Sequence, residues 1–304
     1  MIEGLLLLNK PRGLRSAQCV SAFRHKLPQK IKVGHGGTLD STADGLLVLL
    51  AGAATRLSNY VMMLPKEYMV TIQLGTTTDT LDYDGTVTAT YPFRHIQDKD
   101  IDRILPAFLG MRMQKPPVIS AIKLNGKRAS DLKRKGIEPQ ISPRPVTITS
   151  ILRTSTISEE GQVSFFIKCH KGTYIRSIVR DLGYMLGCGA IVGELTRLKI
   201  GLLSLDQAIS FEELETAAEQ DIDKHIMSIG EFIRHFTVFS GDDQTENDLK
   251  NGMFISIRKL HCESRGQVPT EVVVCFTGRD LISLGVFVKK ENNIFFKPQT
   301  NLFL

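Results

Sequence analysis

The stretch Lys32 to Asp44, KVGHGGTLDSTAD, concentrates residues that could do chemistry. Gly34, Gly36 and Gly37 surround His35 and lead to a single acid, Asp40. Glycine admits backbone conformations and close approaches that a Cβ forbids, so such a loop can lie tight against a ligand. It follows a short strand and precedes the apolar run Leu46 to Gly52, which suits a buried strand. An acid on a tight loop between core strands is placed for catalysis. The plainer reading is a turn-capping aspartate, the commoner role of an acid in an arbitrary glycine loop. His35 could likewise hold a phosphate or cap the turn.

Two more stretches carry chemical potential. Residues 123–135 hold six basic side chains, Lys123, Lys127, Arg128, Lys133, Arg134 and Lys135, against the single acid Asp131. A prolyl pair and Gly126 frame this segment as a mobile excursion, either a solvated helix face or a phosphate-binding arm. Asp82, Asp84, Gly85 and Thr86 form a DxDGTV pattern that resembles the nucleophile motif of haloacid-dehalogenase-type phosphatases. That chemistry needs the motif at the end of a buried parallel strand, and the preceding TTTDTL is too polar for one. A hairpin turn explains Asp84-Gly85 at least as well. No GxxxxGK[ST], GxGxxG or HExxH occurs, so phosphate-cradling loops and zincin sites have no support.

The elements around these residues read as a mixed α+β fold dominated by antiparallel hairpins. Leu5 to Leu8 form a buried strand, and Ser16 caps a helix running to about Lys26. Residues 53–63 have helical spacing, stopped by Pro65. In KEYMVTIQLG the alternation puts Tyr68, Val70, Ile72 and Leu74 on one face of a half-buried strand. A tyrosine there is ordinarily core, although its ring could stack on a base. A further strand spans residues 85–91, and Asp98 or Asp100 starts a helix ending near Gly110. Two strands, PVTITSIL and QVSFFIKCH, precede a helix whose stripe of Ile175, Ile178, Val179, Leu182 and Leu186 is closed by Gly187. Arg176 and Arg180 lie one turn apart on it. Ser210 and Ser228 open capping boxes. From about Phe236, short strands make a small β-rich domain of about 70 residues.

Composition narrows the classes. A chain of 304 residues, 42% hydrophobic and 23% charged, is ordinary for a globular protein with room for two domains. The formal charge of +6 and pI near 9.0 favour an anionic partner, nucleic acid first. Five cysteines, with no CxxC pair, argue against a disulfide framework or zinc site and point to a reducing cytosol. No run approaches the roughly 20 apolar residues of a membrane span.

Along nearly its full length the sequence resembles the TruB family of tRNA pseudouridine synthases. The matching blocks are GLLLLNKPRG, KVGHGGTLD, DGLLVLLAGAATRLSNYV, KEYMVTIQLGTTTDTLDYDG, KPPVISAIKLNGKR, PRPVTI and HKGTYIRSIVRDLGYMLGCGA, with LTRLKIG following. The resemblance implies a mainly antiparallel central sheet with flanking helices over residues 1–230, with an RNA-gripping arm at about 120–140. A PUA-like β domain would occupy 231–304. It implies that Asp40 is the catalytic aspartate, that Tyr68 stacks on the target base, and that Arg176 pairs with the catalytic carboxylate and favours its charged form. His35, Tyr174, Arg56, Asp82 and Leu195 match residues lining the RNA cleft, and Lys123, Lys127 and Arg128 belong to the arm. The implied reaction converts a uridine at position 55 in the tRNA T arm to pseudouridine, with no cofactor or metal. The implied protein is a cytoplasmic monomer without membrane contact. Two alternatives stand beside it: a catalytically weak tRNA-binding folding helper and, more remotely, the phosphatase.

Departures from the family pattern gather in the loop. GHTGTLDPxATG reads here GHGGTLDSTADG, so Gly36, Ser41 and Asp44 replace Thr, Pro and Thr. Loss of the proline predicts a looser loop. Ser130 stands where the arm commonly has tyrosine.

Overall fold

In the computed structural model, described over residues 3–303 except 29, 121, 125, 270–272 and 292 and the side chains of Lys123, Lys127 and Arg128, the leucine run forms strand β1 (Gly4–Lys10). Leu5 to Leu8 are all buried there, as expected of a strand covered on both faces. Helix α1 (Ser16–His25) follows, with Arg15 rather than Ser16 at the N-cap position. The serine hydroxyl is engaged elsewhere, as described below. Strand β2 (Val33–His35) then leads through the glycine loop into β3 (Asp44–Ala51).

The helical stretch after β3 is a 3-10 turn, Gly52–Leu57, followed by α2 (Ser58–Met63). Strand β4 (Lys66–Leu74) alternates as the pattern requires, with Tyr68, Val70, Ile72 and Leu74 buried. A separate two-stranded hairpin, β5 (Thr76–Thr78) and β6 (Val87–Thr90), carries the DxDGTV stretch between its strands. Helix α3 (Asp98–Ile104) precedes β7 (Gly110–Gln114). The basic segment folds as β8 (Lys123–Leu124), β9 (Lys127–Arg128) and α4 (Ala129–Arg134). Strands β10 (Arg144–Arg153) and β11 (Gln162–Cys169), helix α5 (Ile175–Leu186) and β12 (Ala190–Ile200) complete the frame. Gly187 ends α5 in the left-handed region, with φ 73°.

Eleven strands make one sheet, whose main path runs Ile209–Ser210, β1, β3, β12, β4, β11, β10, β7. From β1 to β7 every neighbour is antiparallel except β3 with β12, which run parallel through Thr196↔Asp44 and Arg197↔Gly45. The glycine loop enters the sheet at that parallel junction. Helix α5 covers the inward face of β4 and β11, sharing one core with Leu39, Ala43, Tyr68, Ile167 and Leu195.

A second, six-stranded sheet spans Thr237 to Phe303. It is not a free appendage. Leu5, Leu7, Val48 and Leu50 of the first sheet share a core cluster with Phe236, Cys275, Ile282 and Leu302. The capping boxes at Ser210 and Ser228 both form; Leu214 of the first helix packs with β1 and α1, and Ile229 and Phe232 of the second join the core shared by the two sheets. Among the described residues no helix is long and apolar enough to cross a membrane.

Candidate active site

Asp40 sits four residues ahead of β3, its carboxylate 40% exposed. Its Oδ2 lies 2.7 Å from Nη2 of Arg176, in the first turn of α5. The guanidinium is 6% exposed and fixed from several directions. Nη1 donates to the Thr80 carbonyl at 2.9 Å, Nη2 donates to the Ile119 carbonyl at 3.1 Å, and Asp82 Oδ2 stands 3.7 Å from Nη1. Asp82 is itself buried; it accepts from the Thr42 hydroxyl at 3.4 Å and from the Thr80 hydroxyl. One buried cation thus serves an exposed acid and a buried one. Such a fork suits arginine, whose planar donors can address several oxygens at once.

This arrangement retires the phosphatase. Asp82 is buried against Arg176, Tyr83 and Asp84 are exposed in the hairpin connection, and the strand before the motif, β5, pairs antiparallel with β6. Leu81 adopts φ 66° to turn the chain toward Asp82.

Tyr68 lies beneath the loop, 9% exposed, and burial pushes its phenol up to about 12. Leu195 packs in the same cluster, next to Val70 across the strand pair. His35 Nδ1 accepts the Gly37 N–H at 3.2 Å, so the ring caps the turn. Burial, aided by the positive charge of Arg197, lowers its pKa below the ordinary value of 6.5. A neutral ring offers a phosphate no charge, which favours the turn-capping alternative. Tyr174 precedes α5 and is locked by Gln114: its N–H donates to Oε1 at 2.9 Å, and Nε2 donates to its carbonyl at 3.1 Å. Arg56 is exposed on the 3-10 turn and makes no hydrogen bond or ion pair among the described residues. Among the described residues, no three His, Cys, Asp or Glu side chains are placed to hold a metal ion.

The basic segment differs from a loose excursion. Ile122, Ala129 and Ile141 form a small core against Leu124 and Tyr174, so the arm is seated on a site residue. Lys133 pairs with Glu138, and Arg134 with Asp131 at 3.1 Å. The side chains of Lys123, Lys127 and Arg128 lie outside the described residues.

The glycine loop makes contacts on both sides of Asp40. Gly13 N–H donates to the Ser41 carbonyl at 2.7 Å, within a turn closed by the buried Lys10, whose Nζ donates to the Pro11 and Leu14 carbonyls. A Cβ at Gly36 would stand 2.3 Å from Val61 Cγ1, so Val61 fills the space a larger residue would need. Ser16 and Arg197 also grip the loop, and neither was anticipated. For Arg197 the missed signal was a charged residue at an inward position of an apolar strand.

Comparison with known proteins places this geometry. Residues 24–175 match the family model described as TruB family pseudouridylate synthase (N terminal domain), and 176–234 match tRNA pseudouridylate synthase B C-terminal domain. The chain belongs to the TruB family. It is a pseudouridine synthase, an isomerase that converts uridine in RNA to pseudouridine. Among TruB relatives, the tRNA pseudouridine synthase B of Bacillus subtilis is 36% identical, covering 84% of each chain. That of Aquifex aeolicus is 39% identical over 70% of this chain and 73% of its own. The TruB fold extends to a solved structure titled as a Cbf5-Nop10-Gar1 complex, with TM-score 0.71 and 21% identity over 98% of this chain and 84% of that one.

Proposed function

We propose that this chain isomerises the uridine at position 55 in the T arm of tRNA, with Asp40 as the acting carboxylate. The observation that carries the reading is the 2.7 Å pair between half-exposed Asp40 and buried Arg176. It presents one oxygen-bearing group to solvent while its charge is balanced from below. The relatives named as tRNA pseudouridine synthase B supply the substrate class.

The chemistry makes definite demands. The N1–C1′ bond of the uridine must break and a C5–C1′ bond must form, while the proton lost from C5 is balanced by one gained at N1. The bond is hidden within the folded T loop, so the nucleotide must be extruded and held. Tyr68 gives the extruded base a ring to rest on, and Leu195 packs in the same buried cluster as that ring. Asp40 acts at the sugar or the base, and Arg176 holds it in place. The basic segment around 120–140 draws in phosphates and docks, through Tyr174, onto the same helix that carries Arg176. Residues 1–230 form the catalytic domain in this reading, and 231–304 a PUA-like module.

Single-turnover conversion of unmodified tRNA, with enzyme in excess, tests the reading. Asp40→Asn should abolish conversion and leave tRNA affinity within about threefold, because it removes charge from one exposed group. An active Asp40→Asn protein would remove the proposed role.

A further inference from the structure

Arg197 is 2% exposed in the middle of β12, and its guanidinium donates to three backbone carbonyls. Nε donates to Leu46 at 2.7 Å, Nη1 to Thr38 at 3.3 Å and Nη2 to Gly37 at 3.4 Å. No carboxylate lies within ion-pair distance among the described residues. A buried cation without a counter-ion is costly, so its retention calls for a reason beyond stability. The three carbonyls are telling. Gly37 and Thr38 lie just ahead of Asp40, and Leu46 is the third residue of β3, just after it.

The same side chain reaches the other half of the site. Arg197 is the direct cross-strand partner of Tyr68, and the guanidinium opposes the upward push of burial on that phenol. Its backbone is equally close to the loop's exit: a Cβ at Gly45 would stand 2.5 Å from the Arg197 carbonyl oxygen, and Gly45 holds φ 97°. From the opposite side, the buried Ser16 hydroxyl accepts the Leu39 N–H at 2.9 Å and donates to the Leu39 carbonyl at 2.8 Å. Residues 37, 38 and 39 are therefore each tied down, from a strand on one side and from a helix on the other.

We propose that Arg197 and Ser16 are positioning residues, which together fix the backbone of residues 37–39 so that the Asp40 carboxylate and the Tyr68 ring keep one relative placement. The proposal rests on the reading that Asp40 and Tyr68 carry the reaction. Both residues are buried, at 2% and 3% exposure, and present no surface to a bound nucleotide. Their effect therefore falls on the rate of the chemical step and spares tRNA binding. A misplacement of about 1 Å at a reacting group costs on the order of 100-fold in rate.

The test uses full-length Arg197→Lys, Ser16→Ala and the double variant. It measures single-turnover conversion of unmodified tRNA, tRNA affinity, melting temperature, and amide exchange in peptides covering residues 36–46. Lysine keeps the charge and loses the fork, so Arg197→Lys should convert on the order of 100-fold more slowly. Ser16→Ala should be slowed about 10-fold, the two effects combining to less than their product because they act on one segment. Affinity stays within about threefold, and the 36–46 amides exchange faster in each variant. Ser16→Ala, which removes one oxygen, keeps the test decisive should Arg197→Lys melt below the assay temperature. Folded variants converting at the parent rate, or slowed variants whose loop exchanges like the parent's, overturn the proposal. Asp40→Asn in the same series separates the two ideas: its activity would sink the reading of Asp40, whereas an inactive Asp40→Asn beside parent-like Ser16→Ala would sink the positioning proposal alone.

Discussion

Asp40 owes its setting to an arginine it shares. Arg176 is buried between Asp40 and Asp82 and also satisfies two carbonyls, so its removal leaves a buried Asp82 without a counter-ion. Breaking a buried pair from one side costs about 3–5 kcal/mol. Arg176→Ala is therefore expected to lower stability by about 3 kcal/mol, read from urea denaturation, as well as conversion. Asp82→Asn, which keeps the shape, should cost less stability. Equal urea midpoints for Arg176→Ala and parent would mean that the buried pair contributes nothing. Tyr68 offers a separate check. Because burial pushes its phenol up to about 12, the ring stays un-ionised through neutral pH, so in the proposed reading a base meets its face. Stacking on an aromatic ring is worth about 1–3 kcal/mol per base. Tyr68→Leu should weaken retention of the target nucleotide by that amount, measured with a tRNA whose extruded base is fluorescent, while Tyr68→Phe should retain it.

The glycine loop and the basic arm are elements whose behaviour depends on what they pack against. Gly36 faces Val61 with no space for a Cβ, and overpacking of this kind costs typically about 1–3 kcal/mol. Gly36→Thr alone should be destabilised by that much, whereas Gly36→Thr combined with Val61→Ala should recover most of the loss. Thermal melts of the two variants decide it, and equal melting temperatures would show that Val61 does not occupy the contested space. In the arm, Lys133 and Arg134 are paired with acids, but exposed pairs are worth only about 0–1 kcal/mol and do not withhold these cations from RNA. Removing one cation that neutralises a phosphate should lower the salt slope of tRNA binding by about 0.7–0.9 units. Replacing Lys133, Arg134 and Lys135 with Ala should flatten log K against log salt accordingly and leave single-turnover conversion at saturating enzyme almost unchanged. An unchanged slope would leave these residues as a solvated helix face.

Across the whole molecule, the two sheets meet at His235. The ring is 2% exposed, its Nε2 accepts the Leu202 N–H at 2.9 Å, and Nδ1 stands 2.7 Å from the Phe232 carbonyl. Gly201 packs directly on the ring, where a Cβ would come 2.6 Å from Cδ2. Burial lowers the folded-state pKa below 6.5. Only the unprotonated Nε2 can accept, so the unfolded chain binds the proton more readily than the folded one. Stability from this group is therefore fully present above about pH 6.5 and is lost as pH falls through the folded value. Urea midpoints should drop between pH 7.5 and 5.5 in the parent, and the drop should shrink in His235→Gln. A parallel fall in both proteins would assign the acid limb to other groups.

The local chemistry of this chain is legible in the order of its residues. The alternation that buries Tyr68, the stripe that makes α5, the glycines ahead of Asp40 and the capping serines at 210 and 228 depend on residues within a few positions of one another. Periodicity and capping act at that range, so spacing alone reports them. The matched motif blocks extend the reading to the family. What spacing does not report is which distant residues share a space. Ser16, expected to cap its own helix, commits its hydroxyl to Leu39, 23 positions away. Arg197 reaches back to Gly37 across 160 positions, and Arg176 to Thr80 across 96. Val61 stands in for a side chain that Gly36 lacks. These contacts follow from the parallel junction of β3 with β12 and from the seat of α5 on β4, which are decided by the burial of whole faces. The type of each side chain is a local fact, but the partner that satisfies a buried charge is set only when the sheet closes around it.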